Sequence, residues 1–358
     1  MRSNKLKTAN EHISPGIGSA LLSALFFGAS TPLAKLLTGT TPPILLAGLL
    51  YLGSGLGLGI WLLIRGRRTK ETLLSRSDLP WLIAAVIFGG VIAPVLLMVG
   101  LVSTPGSTAS LLLNFEALFT AILAWFVFGE NFNQRVVAGF VLIVLGGLLL
   151  SWKSGVGFLP STGWLAIAGA CFCWALDNNL TQKISGSDPL QIAATKGFVA
   201  GVFNVSVAIL MGNHFPQAAV IGGALGVGLV GYGVSLALFV IALRNIGTAR
   251  TSAYFSVAPF VGAVLALVLF DEFQGPLVAF AGLLMAAGVW LHVTERHVHI
   301  HEHAPVTHSH PHVHDEHHQH HAEEHLTSEE QHTHMHEHRL LIHSHPHYPD
   351  IHHRHSHP

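Results

Sequence analysis

Glu116, Asp177 and Lys196 stand inside long apolar runs. A charge near a helix centre in a membrane costs about 2.5–3.5 kcal/mol even on a lenient insertion scale, so each needs a reason to be there. Glu116 falls mid-way through LLLNFEALFTAILAW, too far from either end for its carboxylate to reach the headgroups. A carboxylate in apolar surroundings can exchange protons near neutrality, which makes Glu116 the candidate for coupling or solute recognition. Asp177 and Lys196 lie at matching depth in consecutive, antiparallel runs, about 9 Å from one end at 1.5 Å per residue. An ion pair between them is feasible, either as a packing device or as part of a solute or proton site. Lys35 lies close to the end of its run and is expected to reach the headgroups. The amides Asn114, Asn178, Asn179 and Asn204 are candidates to line a shared cavity. Cys171 and Cys173, two apart on a helix, diverge and are expected to pack as small apolar residues rather than form a disulfide.

A second chemistry begins at His297; all but three of the 27 histidines lie from there onward. The candidate metal ligands are His297, His299, His301, His303, His308, His310, His312, His314, His317, His318, His320, His321, His332, His334, His336, His338, His343, His345 and His347. The frequent His-x-His spacing puts imidazoles on one side of an extended segment. Imidazole suits Zn, Ni, Cu and Co, and a loose site follows the Irving–Williams order with little selectivity. No Cys or fixed ligand quartet accompanies these residues, so this is no structural zinc site. Too few packable side chains are present for a core, and the tail is expected to be disordered. Three roles stay open: delivery of a transported metal, metal sensing or buffering, and a polyelectrolyte titrating near pH ~6.5. A metal path through the apolar part would depend on Glu116, Asp177, the amides and the two cysteines.

The apolar runs dictate the class. The chain of 358 residues is 50% hydrophobic and 10% charged, against about 25% charged in soluble domains. About 20 apolar residues cross a bilayer, and ten such runs are predicted: 17–37, 43–64, 80–101, 105–128, 134–152, 161–183, 190–211, 218–243, 247–270 and 275–294. The polar stretch Met1 to Pro15 does not read as a cleavable signal peptide. With the N-terminus inside, Arg2, Lys5, Lys7, Arg65, Arg67, Arg68, Lys70, Arg76, Arg135, Lys183, Arg244, Arg250 and Arg296 face the cytoplasm and only Lys153 faces out. That asymmetry predicts two cytoplasmic termini. Glu130 and Glu272 end their runs and are expected at the interface. Pro94 and Pro259 fall inside runs, where each removes a backbone hydrogen bond and can kink a helix. Gly53, Gly55, Gly57 and Gly59, and Gly222-xxx-Gly226, let helices approach closely within the monomer; a homodimer interface is the alternative use.

The runs also repeat. Leu101–Glu130 slid forward by 142 positions falls on Leu243–Glu272, with Ser110/Ser252, Ala121/Ala263, Phe128/Phe270 and Glu130/Glu272 coinciding. Nearer the start the offset is 147, with Gly16/Gly163, Leu33/Leu180, Pro42/Pro189 and Ala47/Ala194. Five helices per half force the second half into the membrane upside down. Inverted repeats of this kind build secondary transporters, with the solute site at the repeat interface near the midplane. The predicted fold is therefore an all-α integral membrane protein: an N-terminal segment, 1–16, two five-helix repeats, 17–152 and 161–294, and a tail, 295–358.

FFGASTPLAKLL in the first run, Phe128-Gly129-Glu130 closing the fourth, and Ala138-Gly139 and Gly146-Gly147 in the fifth resemble the EamA type of the drug/metabolite transporter superfamily. The resemblance covers roughly residues 16–294; the second repeat departs in having Asp271 where the first has Gly129. It implies ten helices, alternating access and movement of small metabolites, without naming the cargo. The combined expectation is a proton-coupled exporter of a small metabolite or divalent metal in the cytoplasmic membrane. Its partners would be the bilayer and the solute, with no nucleic acid and no required cofactor. The alternative is a membrane-anchored metal-binding protein whose tail buffers Ni, Co or Zn without transport. No His-Glu-x-x-His or comparable ligand set occurs in any run, which argues against an intramembrane enzyme.

Overall fold

The computed structural model describes residues 15–66, 72–128, 134–152, 161–271 and 275–293, with four short segments of the tail, 298–303, 306–312, 332–338 and 341–346. Glu130, Glu272 and Lys153 lie outside the described residues. The first half comprises α1 (Pro15–Thr38), α2 (Pro43–Arg65), α3 (Arg76–Ser103), α4 (106–128) and α5 (Gln134–Trp152). The second comprises α6 (Thr162–Ile184), α7 (Pro189–Leu210), α8 (218–246), α9 (248–270) and α10 (Pro276–Val293). Among the described residues six of these helices are long and apolar enough to cross a membrane, and α5 and α10 carry shorter apolar stretches. Apolar side chains cover the outside: Leu63 is 83% exposed and Leu210 86%. Ser23, Asn114, Asp177 and Lys196 are buried within. This inside-out distribution is what a hydrocarbon solvent selects.

Helix pairing repeats between the halves. The second helices pack on each other (α2 on α7), as do the fifth (α5 on α10). The contact of α1 with α8 is matched by α6 with α3, and that of α1 with α9 by α6 with α4. The same offsets relate the irregularities. A π-helical stretch interrupts α3 at Val86–Ile92 and another interrupts α8 at Leu229–Val234. A turn residue, Leu113, divides α4, and Ser256-Val257 divides α9. Pro94 lies two residues past the end of the first π stretch and Pro259 two past the break in α9, so both prolines sit in the first turn after an interruption of the helical ladder.

Glycine sets the closest approach. A Cβ at Gly55 would meet the backbone of Phe198 in α7, and one at Gly53 the backbone of Leu225 in α8. Gly59, Gly222 and Gly226 meet nothing, so the packing reading holds for only part of the glycine pattern. Gly247, at φ 72°, makes the turn from α8 to α9 in the left-handed region that suits glycine.

Lys35, near the end of α1, donates to the carbonyls of Leu101 and Thr104 at the end of α3. Pro105 has no N–H to give Leu101 four residues earlier, so that carbonyl is left for the lysine. At the other end of the bundle Arg244, from the end of α8, donates to the carbonyls of Ser185 and Ser187 just past α6. Under the repeat, α1 and α3 correspond to α6 and α8, so related helix ends are tied by the same device on opposite sides. Arg65 also pairs with Asp188 on the Arg244 side.

The tail forms a separate unit. Among its described residues β1 (Val298–His303) pairs antiparallel with β4 (Leu341–Pro346), and β2 (Val306–His312) with β3 (His332–His338). Alternating His-x-His has the period of a strand.

Candidate functional site

Three helices, α4, α6 and α7, bring the charged residues together. Asn178, on α6, donates its amide to a Glu116 carboxylate oxygen at 2.9 Å, joining the two halves. Its amide also lies 3.4 Å from the Thr120 hydroxyl, one turn along α4. Glu116 occupies the first turn of Asn114–Phe128, the helix piece that starts after the break at Leu113. The positive end of a helix dipole favours a carboxylate there.

Asp177 and Lys196 meet. The Lys196 ammonium lies 2.5 Å from Asp177 Oδ1 and 2.8 Å from Oδ2, and 3.1 Å from the Thr181 hydroxyl. Thr181 in turn donates to Oδ1 at 2.8 Å. Lys196 is 0% exposed, and all three of its donors are used within this cluster. A Cβ at Gly89, in the π stretch of α3, would collide with the Asp177 carboxylate, so the missing side chain makes room for the pair.

Both π stretches face the same region. An interrupted ladder leaves carbonyls to be claimed by side chains. The Gly89 carbonyl accepts from Tyr51 at 2.6 Å and from Trp174 at 3.0 Å, and the Gly90 carbonyl from Asn204 at 3.2 Å. Phe27 packs edge-on to Trp174 with centroids 5.4 Å apart, and 5.7 Å from Tyr232. Phe255 lies 4.9 Å from Phe239. These rings, with Glu116, Asp177 and Asn178, enclose a cavity of about 50 Å³, enough for a few waters. A second space of about 10 Å³, between Glu116 and the broken part of α9, adjoins Ser252 and Ser256.

Of the amides named from sequence, only Asn178 lines the cavity. Asn114 donates to Leu111 O within α4, Asn179 to Ala175 O within α6, and Asn204 braces the π stretch. Both cysteines are free and buried, and Cys171 lies 3.7 Å from the Leu112 carbonyl beside the break in α4. Among the described residues no three His, Cys, Asp or Glu side chains converge to hold a metal ion.

Sequence reasoning missed the aromatic wall. Three of the 4 tyrosines, Tyr51, Tyr232 and Tyr254, lie in apolar runs, and the first two line this cavity. The 147 offset also pairs Phe27 with Trp174. Either observation could have marked the wall.

The cavity is symmetric in shape and asymmetric in chemistry. At the same offsets Glu116 corresponds to Ala258, Asp177 to Ser30 and Lys196 to Leu49. At each of these places one half carries an ionisable group and the other does not.

Known proteins are similar along most of the chain. An uncharacterized transporter of Methanothermobacter thermautotrophicus is 28% identical over 77% of this chain and 85% of its own. A probable amino-acid metabolite efflux pump of Salmonella typhimurium is 26% identical over 76% and 93%. A probable terminal-alkyne amino-acid exporter of Streptantibioticus cattleyicolor is 26% identical over 60% and 73%. A crystal structure at 19% identity shares the fold with a TM-score of 0.60, covering 76% of this chain and 95% of its own. The family model for EamA-like transporters matches residues 14–152 and 161–294, once per half, and the chain belongs to that family of small-solute membrane transporters.

Proposed function

We propose that this protein exports a small organic metabolite across the cytoplasmic membrane by alternating access, in exchange for protons, with Glu116 as the exchanging carboxylate. The carrying observation is the placement of Glu116: buried at the interface of the halves, facing the cavity, and hydrogen-bonded through a neutral amide rather than a cation. Asp177 faces the same cavity but is neutralised by Lys196. The two carboxylates therefore divide the work: one is held by a cation, and the other, held by a neutral amide, is the one proposed to exchange protons. Export of a metabolite is favoured by the efflux pump and the exporter among the relatives. Both termini, by the distribution of Lys and Arg, lie in the cytoplasm.

The test is flux in proteoliposomes with an imposed pH gradient. Wild-type protein moves solute against its gradient when protons run the other way. Glu116→Gln is expected to lower that coupled flux at least tenfold and to flatten its pH dependence. A Glu116→Gln protein with wild-type rate and pH profile sinks the assignment.

The tail is proposed to bind divalent transition metals as an accessory to transport. The ladders put histidine opposite histidine at His299/His345, His301/His343, His308/His336, His310/His334 and His312/His332. Calorimetric titration of Ni and Zn into the full chain and into a chain ended after Glu295 is expected to show binding only in the former. Equal uptake by both would remove the tail from metal binding.

A further inference from the structure

The charge pattern of the cavity wall restricts what it can hold. Two carboxylates and six aromatic rings face the space, and no Lys, Arg or His is among its described lining residues. Lys196 stands behind Asp177 with its ammonium committed to that carboxylate and to Thr181. A carboxylate on the solute would thus be stripped of water against ring faces with no cation to meet it. An ammonium would meet the opposite: ring faces attract cations, and among the described lining residues no basic side chain faces the Glu116 carboxyl. Resting on the transport reading above, we infer that the solute is a small organic cation, an amine without a carboxylate of its own, whose ammonium takes the place of the Glu116 proton.

The exchange balances. As the cation enters, the Glu116 carboxyl O–H bond breaks and its proton leaves to water; when the cation departs, a proton from the other side restores the carboxyl. One proton replaces one monovalent cation, and no net charge crosses. The charged and titratable groups around Glu116 are Asp177 and Cys171 from α6, Tyr51 from α2 and Tyr232 from α8, with Lys196 of α7 behind Asp177. From α9 only the neutral hydroxyls of Ser252 and Ser256 adjoin it. None of these supplies a free cation.

Isobutylamine, L-valine and isovalerate share a branched skeleton and differ in charge, as cation, zwitterion and anion. Titrated calorimetrically into the purified full chain near neutrality, isobutylamine is expected to bind at least tenfold tighter than L-valine, and isovalerate not at all. Repeating the titration in buffers of different ionisation enthalpy counts protons, and one is expected to be released per amine bound. Glu116→Gln, monodisperse on gel filtration, is expected to bind the amine at least tenfold more weakly and to release none. L-Valine binding as tightly as the amine overturns the inference, as does amine binding without proton release, or no amine binding by monodisperse protein. Vesicle flux judges transport separately: valine carried and isobutylamine refused would remove the cation and leave the transporter.

Discussion

Asp177 and Lys196 were readable as a feasible pair because their depths match, and the structure adds what periodicity cannot: Thr181 and the absent side chain of Gly89 complete the fit. Removing one partner from a buried pair leaves an uncompensated charge and costs about 3–5 kcal/mol, whereas replacing both with apolar or neutral groups costs much less. Lys196→Met is therefore expected to lower unfolding stability in detergent by that amount. Adding Asp177→Asn in the same chain is expected to recover most of the loss. If the double variant unfolds as readily as the single one, the pair is not what holds α6 to α7. Glu116 could be singled out from sequence, but its partner could not. Asn178 was one of four amides, and only the three-dimensional fold shows which of them reaches Glu116. The aromatic wall escaped for a related reason: Phe, Trp and Tyr in a span look like lipid-facing bulk until the helices are assembled.

At the scale of helices, the runs, their order and the repeat were legible because the bilayer imposes one period and one length on all of them. The interruptions were only half legible. Pro94 and Pro259 marked the places, but nothing in VIFGGVI or LVGYGV announces a π stretch, which arises from how α3 and α8 fit their neighbours. Glycine offers the sharpest test at this scale. Gly55→Ala places a methyl against the backbone of Phe198, and overpacking of that kind costs about 1–3 kcal/mol. Gly59→Ala, into open space, is expected to change stability by less than about 0.5 kcal/mol. Thermal unfolding of the two purified variants checks this directly, and equal midpoints would mean that α2 and α7 are not held at glycine distance.

The whole molecule is tied at both ends by a cation reaching to carbonyls, Lys35 at one and Arg244 at the other. The two ties belong to related helix pairs, so cutting them should bias the bundle in opposite directions. Lys35→Met is expected to lengthen the distance between spin labels across the ends of α1 and α3, and Arg244→Met that across the ends of α6 and α8. Each is expected to leave the other end unchanged, and movement of both ends in either variant would refute independent ties. Phe27 and Trp174 occupy equivalent places in the two halves, and they touch. If the halves trade conformations, each ring inherits the surroundings of the other, so their contact is a fixed point of the exchange. Fluorine probes on these rings would stay silent while probes at the bundle ends changed signal with every turnover. A protein that turned its interior from one face to the other would thus keep a stationary landmark, with the cavity beside it.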